Sequence, residues 1–142
     1  MNYRIAERSD YATLADIWER SVIATHDFLS DSYRAELKEK ILTYFPRAEV
    51  MLWIDEDKII GFSGIKDSNL DMLFLDSDSI GKGYGHLIIK QLVDNFGVKT
   101  LDVNEDNPRA LKFYQANGFE VSSRSEVDDE GQPYPTLHMK LK

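Results

Sequence analysis

Apolar residues recur along this chain with two periods, and the switches between them divide it into short strands and helices. Tyr3 to Glu7 alternates and predicts a strand. Tyr11, Leu14, Ile17, Trp18 and Val22 then fall at helical spacing, with Ser9 or Asp10 in place to cap the first turn. Ser32 to Tyr44 predicts a second helix, stopped near Pro46. Val50–Ile54 and Ile59–Ile65 are strands flanking the polar run Asp55 to Lys58, which has hairpin length. Leu70 to Leu75 is nearly all apolar, the pattern of a central strand covered on both faces. Gly83 to Phe96 is helical, with Leu87, Ile88, Leu92 and Phe96 on its apolar face and Gly97 as its C-terminal cap. Thr100–Asn104 is a strand. Asn107 and Pro108 open the next helix as cap and first-turn proline, and Gly118 ends it. Phe119–Ser123 and Thr136–Lys140 close the chain as a strand pair. The resulting order, β-α-α-β-β-β-α-β-α-β-β, predicts one mixed α/β domain over residues 1–142.

Composition narrows the chemistry. Hydrophobic residues make up 42% of the 142 positions, enough for a packed core. The net charge of −8 argues against nucleic-acid binding, which draws on a basic surface, and is compatible with a cationic acceptor such as an amine. There are no cysteines, so disulfides, zinc–thiolate sites and a thiol nucleophile are excluded. The three histidines, His26, His86 and His138, lack metal-ligand spacing, and no metal is expected. The N-terminus lacks the apolar run of a signal peptide, and no stretch has the length of a membrane span, so a cytoplasmic protein without a membrane partner is expected.

The densest information lies in Ile80-Gly81-Lys82-Gly83-Tyr84-Gly85-His86, a glycine-rich turn between a strand and a helix. Such a turn leaves backbone N–H groups free at a helix N-terminus, where dipole and donors favour a phosphate. Two familiar phosphate motifs fail here. The dinucleotide fingerprint needs a glycine where His86 stands, and the nucleoside-triphosphate loop needs Ser or Thr where Gly83 follows Lys82. Lys82 could add charge to a bound phosphate or be a solvated loop lysine.

The window Ile80 to Gly85 resembles the signature turn of the GNAT superfamily, the Gcn5-related N-acetyltransferases: Arg or Gln, two residues, Gly, one residue, Gly or Ala. The glycines match, and Ile80 replaces the usual Arg or Gln. A second stretch, Asn107 through Ala110-Leu111-Lys112-Phe113-Tyr114 to Gly118-Phe119, is similar to the Asn…Ala-Leu-x-Phe-Tyr-x-x-x-Gly-Phe helix of the same family. Residues 24–29 and 126–135 resemble a narrower branch of small bacterial enzymes, the YjaB-like acetyltransferases. The resemblance implies a GNAT fold: a mixed, mostly antiparallel central sheet flanked by helices, with splayed middle strands. It implies acetyl-CoA as acyl donor, its pyrophosphate on the Ile80 to His86 turn, its thioester against the Leu73-Phe74-Leu75 strand, and Asn107 near its pantetheine or phosphate arm. It also implies a monomer or a homodimer formed through the C-terminal strands.

Acetyl transfer to an amine requires the thioester carbonyl to be polarised, the amine to be neutral and the thiolate to be protonated. Backbone N–H groups of residues 73–75 are candidates for the first task. By the resemblance Tyr114 is the acid, since a phenol still carries its proton at neutral pH; read from the residues alone, it is equally a core tyrosine of an amphipathic helix. The base is open. Asp102 lies mid-strand beside the expected slot, His26 titrates near neutrality beside Asp27, Asp71 could reach the slot, and a water chain is a further route. His86 is expected at the helix start facing solvent or phosphate, and His138 in strand packing. Trp18, Tyr33, Trp53 and Phe62 are expected in the core, with Phe28 and Tyr33 also candidates for an acceptor pocket. The function expected is an acetyl-CoA-dependent N-acetyltransferase acting on a small amine or a peptide amine by direct attack. The alternative is a noncatalytic acyl-CoA-binding regulatory module.

Overall fold

The computed structural model describes residues 1–25, 29–128 and 131–142. Seven strands form one sheet: β1 (Asn2–Ile5), β2 (Glu49–Asp55), β3 (Lys58–Lys66), β4 (Asn69–Leu75), β5 (Thr100–Asn104), β6 (Phe119–Ser125) and β7 (Thr136–Leu141). Four helices cover it: α1 (Tyr11–Thr25), α2 (Asp31–Tyr44), α3 (Tyr84–Phe96) and α4 (Pro108–Ala116). The strand order is β1-β2-β3-β4-β5-β7-β6. Every neighbouring pair is antiparallel except β4 and β5, which run parallel at the centre. The expected element order holds throughout. Among the described residues no helix is long and apolar enough to cross a membrane.

Local chemistry accounts for the ends of these elements. Asp10 receives the Glu7 backbone N–H and two bonds from the Arg4 guanidinium, so the first turn leading into α1 is fastened to β1. Ser30 caps α2 by accepting from the Tyr33 N–H. Two tight hairpins, at Glu56-Asp57 and Asp67-Ser68, place non-glycine residues at positive φ, as two-residue hairpin turns require. The carbonyl of Ser68 also accepts from Lys99 N at 2.8 Å, which sets β5 beside β4.

The sheet separates two cores. On one face α1 and α2 bury Leu14, Trp18 and Ile41 against Leu52 and Phe62. On the other, Ile88, Ile89 and Leu92 of α3 pack on Trp53, Leu101, Phe119 and Met139. The apolar face of α3 is turned relative to expectation: Leu87 is 54% exposed, and Ile89 takes the buried position. The stripe 85, 88, 89, 92, 96 faces the sheet, and Leu87 lies outside it.

The apolar run of β4 has a particular cause. Register against β3 passes from Met72↔Gly64 to Leu70↔Ile65, so Asp71 is an extra residue in a β-bulge. The bulge lets Leu70 and Leu73 share the α3 face, while Met72 and Phe74 pack toward α1. β4 is central as expected, yet Asp71 is exposed and residues 72–75 are only half-buried, because the strand lines a cavity.

Gly61 permits the close approach of β3 and β4: a Cβ there would meet the Phe74 carbonyl oxygen at 2.4 Å and Leu75 Cα at 3.0 Å. Both are backbone atoms, so β4 itself would have to move. Gly61→Ala is expected to cost about 1–3 kcal/mol. Thermal melting followed by circular dichroism should show a midpoint lowered by several degrees; an unchanged midpoint would show that β4 yields without cost.

Candidate active site

The site originates in an incomplete strand pair. β4 and β5 are in register only at Asn69↔Thr100 and Leu70↔Leu101, their first residues. Beyond that the strands part, and the opening widens toward their C-terminal ends. On its other side β4 stays paired with β3 through Ser63↔Leu73, Phe62↔Phe74 and Gly61↔Leu75. The backbone groups of residues 73–75 that alternate away from β3 therefore face the opening. A buried peptide group needs a partner, so this edge is a ready-made binding ladder for an extended, amide-bearing ligand.

A cavity of about 530 Å³ fills the opening, lined mainly by β4, the glycine turn and α4, with Ser21 and Thr25 of α1 at its other end. Leu73, Phe74, Leu75, Ile80, Gly81, Gly83, Gly85, His86 and Asn107, all expected at the cofactor, line it. Gly81 and Gly83 have φ of +80° and +86°, and Gly83 is the N-cap of α3 without any side-chain cap. The first N–H groups of α3 thus lack the oxygen that normally satisfies them, which suits an anion. Gly85 packs against Phe113, where a Cβ would meet the ring at 3.0 Å.

Two of the expected cofactor residues, Lys82 and Tyr84, fall outside this lining. The Lys82 side chain is exposed and outside the cavity lining. Tyr84 directs its hydroxyl to Asp55 at 2.6 Å. His86, within the lining, is held by Asn117 and packs at a tilt against Phe113, so it sits at the helix start as expected. Asn107 spends its side-chain oxygen capping α4 through Ala110 N. Ile80 makes no ionic brace of its own, but the turn is secured at other points. Arg20 of α1 grips Asp76 with two bonds of 2.9 Å, and Lys58 of the β2–β3 hairpin reaches Asp78 at 2.6 Å. Arg109, exposed on the second residue of α4, adds a cation to the lining that the sequence reading missed; its position directly after the cap and proline was the available signal.

Tyr114 projects from α4 into the same cavity. Its ring packs on Phe113 and Phe119, and its hydroxyl has no hydrogen-bond partner among the described residues. Burial pushes this phenol well above its ordinary pKa, so it keeps its proton throughout the physiological range.

A second cavity, of about 620 Å³, lies on the α1–α2 face of the sheet. It meets the first at Asp71, Met72, Phe74, Asp102 and Asn104. Asp71 and Asp102 are the residues immediately after the last β4–β5 pair, so the strands part where two carboxylates would otherwise face one another across the pair. Asp71 accepts from the Tyr44 hydroxyl at 2.8 Å and from Asn69 Nδ2 at 2.6 Å. Asp102 accepts from His138 Nδ1 at 2.6 Å. His138, expected in strand packing, is instead a polar bridge, since alternation along β7 puts it on the face opposite Met139. Tyr33 is buried as expected; it stacks on Tyr134 at 5.0 Å, donates to Asp128, and lines this second cavity. His26 and Phe28 lie outside the described residues.

Comparison with known proteins agrees with this geometry. A family model described as an acetyltransferase (GNAT) domain matches residues 13–142. The peptidyl-lysine N-acetyltransferase YjaB of Salmonella typhimurium is 42% identical over 142 residues, covering 98% of this chain and 97% of that one. Its Escherichia coli namesake is 39% identical over 140 residues, covering 98% and 95%. Among solved structures, the apo form of Escherichia coli YjaB superposes with a TM-score of 0.88 over 99% of this chain and 96% of that one. The PaiA N-acetyltransferase of Thermoplasma acidophilum, solved with coenzyme A, shares the fold at 21% identity, with a TM-score of 0.67 over 99% of each chain.

The positive φ of Gly83 makes it a sensitive probe of the anion turn. Gly83→Val imposes a left-handed conformation on a branched residue, a strain of about 1–2 kcal/mol. Isothermal titration should show acetyl-CoA affinity reduced about tenfold. Gly97→Val, at φ +71° on the far end of α3, carries the same kind of strain and should leave that affinity unchanged. Equal behaviour of the two variants would remove the turn from the binding site.

Proposed function

The chain belongs to the GNAT acetyltransferases, and on that premise we propose that it acetylates the side-chain amine of lysine in a peptide or protein, by direct attack and without an acyl-enzyme. Acetylation of an amine from acetyl-CoA is the family's reaction, and the full-length relatives are named peptidyl-lysine N-acetyltransferases. One observation carries the reading: a cavity lined by the glycine turn and α4 and a second cavity lined by α1 and α2 share the residues at which β4 and β5 part. A donor held on the α3–α4 side and an amine entering from the α1–α2 side would come together there and nowhere else among the described residues.

Each residue's task follows from its chemistry. Acetyl-CoA supplies an activated thioester. The uncapped N-terminus of α3 and the turn at Gly81 and Gly83 bind its pyrophosphate, with Arg109 adding positive charge at the rim. Outward-facing amides of residues 73–75 pair with the pantetheine arm and polarise the thioester carbonyl. On the acceptor side, Asp71 and Asp102 attract the lysine ammonium, and the aromatic walls Trp18 and Tyr33 suit its aliphatic stem. Asp102, which lines both cavities, takes a proton from the ammonium to free the attacking lone pair. Tyr114, kept neutral by burial, gives its proton to the departing thiolate.

Tyr114→Phe is expected to lower kcat by about 10²-fold with little change in acetyl-CoA affinity, since only a proton donor is lost. Because burial raises the phenol's pKa, the wild-type rate should show no fall attributable to Tyr114 at pH 10, where an ordinary tyrosine is half ionised. Asp102→Asn should lower kcat while leaving acetyl-CoA affinity unchanged, and Asp71→Asn should raise acceptor KM. Unchanged kinetics in Tyr114→Phe, with binding of acetyl-CoA intact, would favour a binding module over an enzyme using this acid.

A further inference from the structure

The Asp102 carboxylate is the inner end of a hydrogen-bonded chain running outward across three adjacent strands. His138 on β7 is paired in register with Asp102 on β5, and its Nδ1 lies 2.6 Å from Asp102 Oδ1. Its Nε2 lies 2.6 Å from the Ser125 hydroxyl on β6. An ionised carboxylate only accepts, so Nδ1 carries the proton in the resting pair. The other nitrogen of a neutral ring then accepts, and Ser125 donates to it. Every donor in the chain therefore points inward, toward the opening between β4 and β5. Asp102 and His138 are each about one-third exposed, at 36% and 34%, so these bonds hold the side chains where packing alone does not.

This order of Ser, His and Asp has the connectivity of a nucleophilic triad, and strand spacing decides against that role. Neighbouring strands lie about 4.8 Å apart, so Ser125 is two strands, about 10 Å, outside β5 and farther still from the thioester edge of β4. Neither it nor His138 lines either cavity among the described residues. The serine cannot reach an acyl group held between β4 and β5, and only the carboxylate can.

We propose that His138 and Ser125 are positioning residues that fix the Asp102 carboxylate and aim its free oxygen, Oδ2, at the acceptor amine. The inference rests on the reading of Asp102 as the base. In the step it serves, an N–H bond of the ammonium breaks, an O–H bond forms on Asp102 Oδ2, and the amine keeps the electron pair with which it attacks. The Nδ1–H bond to Oδ1 persists throughout. It fixes the carboxylate rotamer before the amine arrives, a pre-organisation that a lone aspartate on an open strand face would lack.

The test is a mutant cycle with an independent spectroscopic arm. Wild type, Asp102→Asn, His138→Leu, His138→Gln, Ser125→Ala and the double variant Asp102→Asn/His138→Leu are assayed with acetyl-CoA and polylysine by thiol release. His138→Leu should lose about 10- to 100-fold in kcat, part of the 10²–10⁴ that a positioned base supplies, with acetyl-CoA KM unchanged. His138→Gln, whose amide can still donate, should recover part of the loss, and Ser125→Ala should lose less than His138→Leu. The double variant should be no slower than Asp102→Asn alone, because the histidine acts through the aspartate. Additive losses in the double variant would overturn the proposal in favour of a purely structural histidine. Full activity in Asp102→Asn would overturn the base assignment itself; a slow Asp102→Asn beside a fully active His138→Leu would overturn only the present inference. Independently of turnover and of how the variants fold, nitrogen-15 spectra of wild-type imidazoles should show His138 as a single Nδ1–H tautomer. The Nε2–H tautomer, or fast averaging between the two, would overturn the proposal.

Discussion

Two residue pairs hold β4 and β5 together, and both cavities of the candidate site depend on there being only two. A complete parallel pairing would consume the backbone donors of residues 73–75 and close the floor of both cavities. Separation leaves peptide groups without partners, which costs free energy in a protein interior unless a ligand or water pairs with them. The rest of the sheet offsets that cost. β3 holds the far side of β4 over its whole length, and β7 holds β5 through all five of its residues. The gap is therefore a rigid slot between two well-supported half-sheets.

The side chains at the parting point reinforce it. Asp71 and Asp102 occupy the positions that would form the third pair, and like charges opposed across strands repel. Each is instead turned toward donors on its own side: Tyr44 and Asn69 for Asp71, His138 for Asp102. In the proposed reaction the same two carboxylates that disfavour pairing would present negative charge to an entering ammonium. The bulge leaves Asp71 lining both cavities while returning Leu73 and Leu75 to the α3 core. Tyr114 works by the opposite environment. Its apolar packing favours the neutral phenol, so a protonated hydroxyl faces the first cavity while the carboxylates lie where the two cavities share a lining.

The glycine turn shows how a missing side chain is made good by neighbours. With Ile80 in the first motif position, no cation from that residue stiffens the loop. Arg20, Lys58 and Asp55 reach Asp76, Asp78 and Tyr84 from α1 and the β2–β3 hairpin. Each is a partly exposed pair of small individual value. Together they tie the loop to two separate elements and so constrain the directions of its backbone N–H groups.

Much of this was legible in one dimension. Period and punctuation determined the order of the elements, and the spacing of Gly81, Gly83 and Gly85 with the Asn107 to Phe119 stretch singled out the turn and helix that line the first cavity, because those demands are local: a helix start, a positive φ, a cap. Tertiary structure decided what no local pattern encodes. The bulge at Asp71 depends on register with β3, and so converts an apolar run into a strand with one carboxylate facing outward. The rotation of α3 that exposes Leu87 and buries Ile89 depends on which stripe meets the sheet. The chain from Asp102 through His138 to Ser125 joins residues that are far apart in sequence and adjacent only because β7 inserts between β5 and β6. Backbone conformation is set by neighbours along the chain, whereas proton chemistry is set by neighbours across strands, and only the folded sheet brings those together.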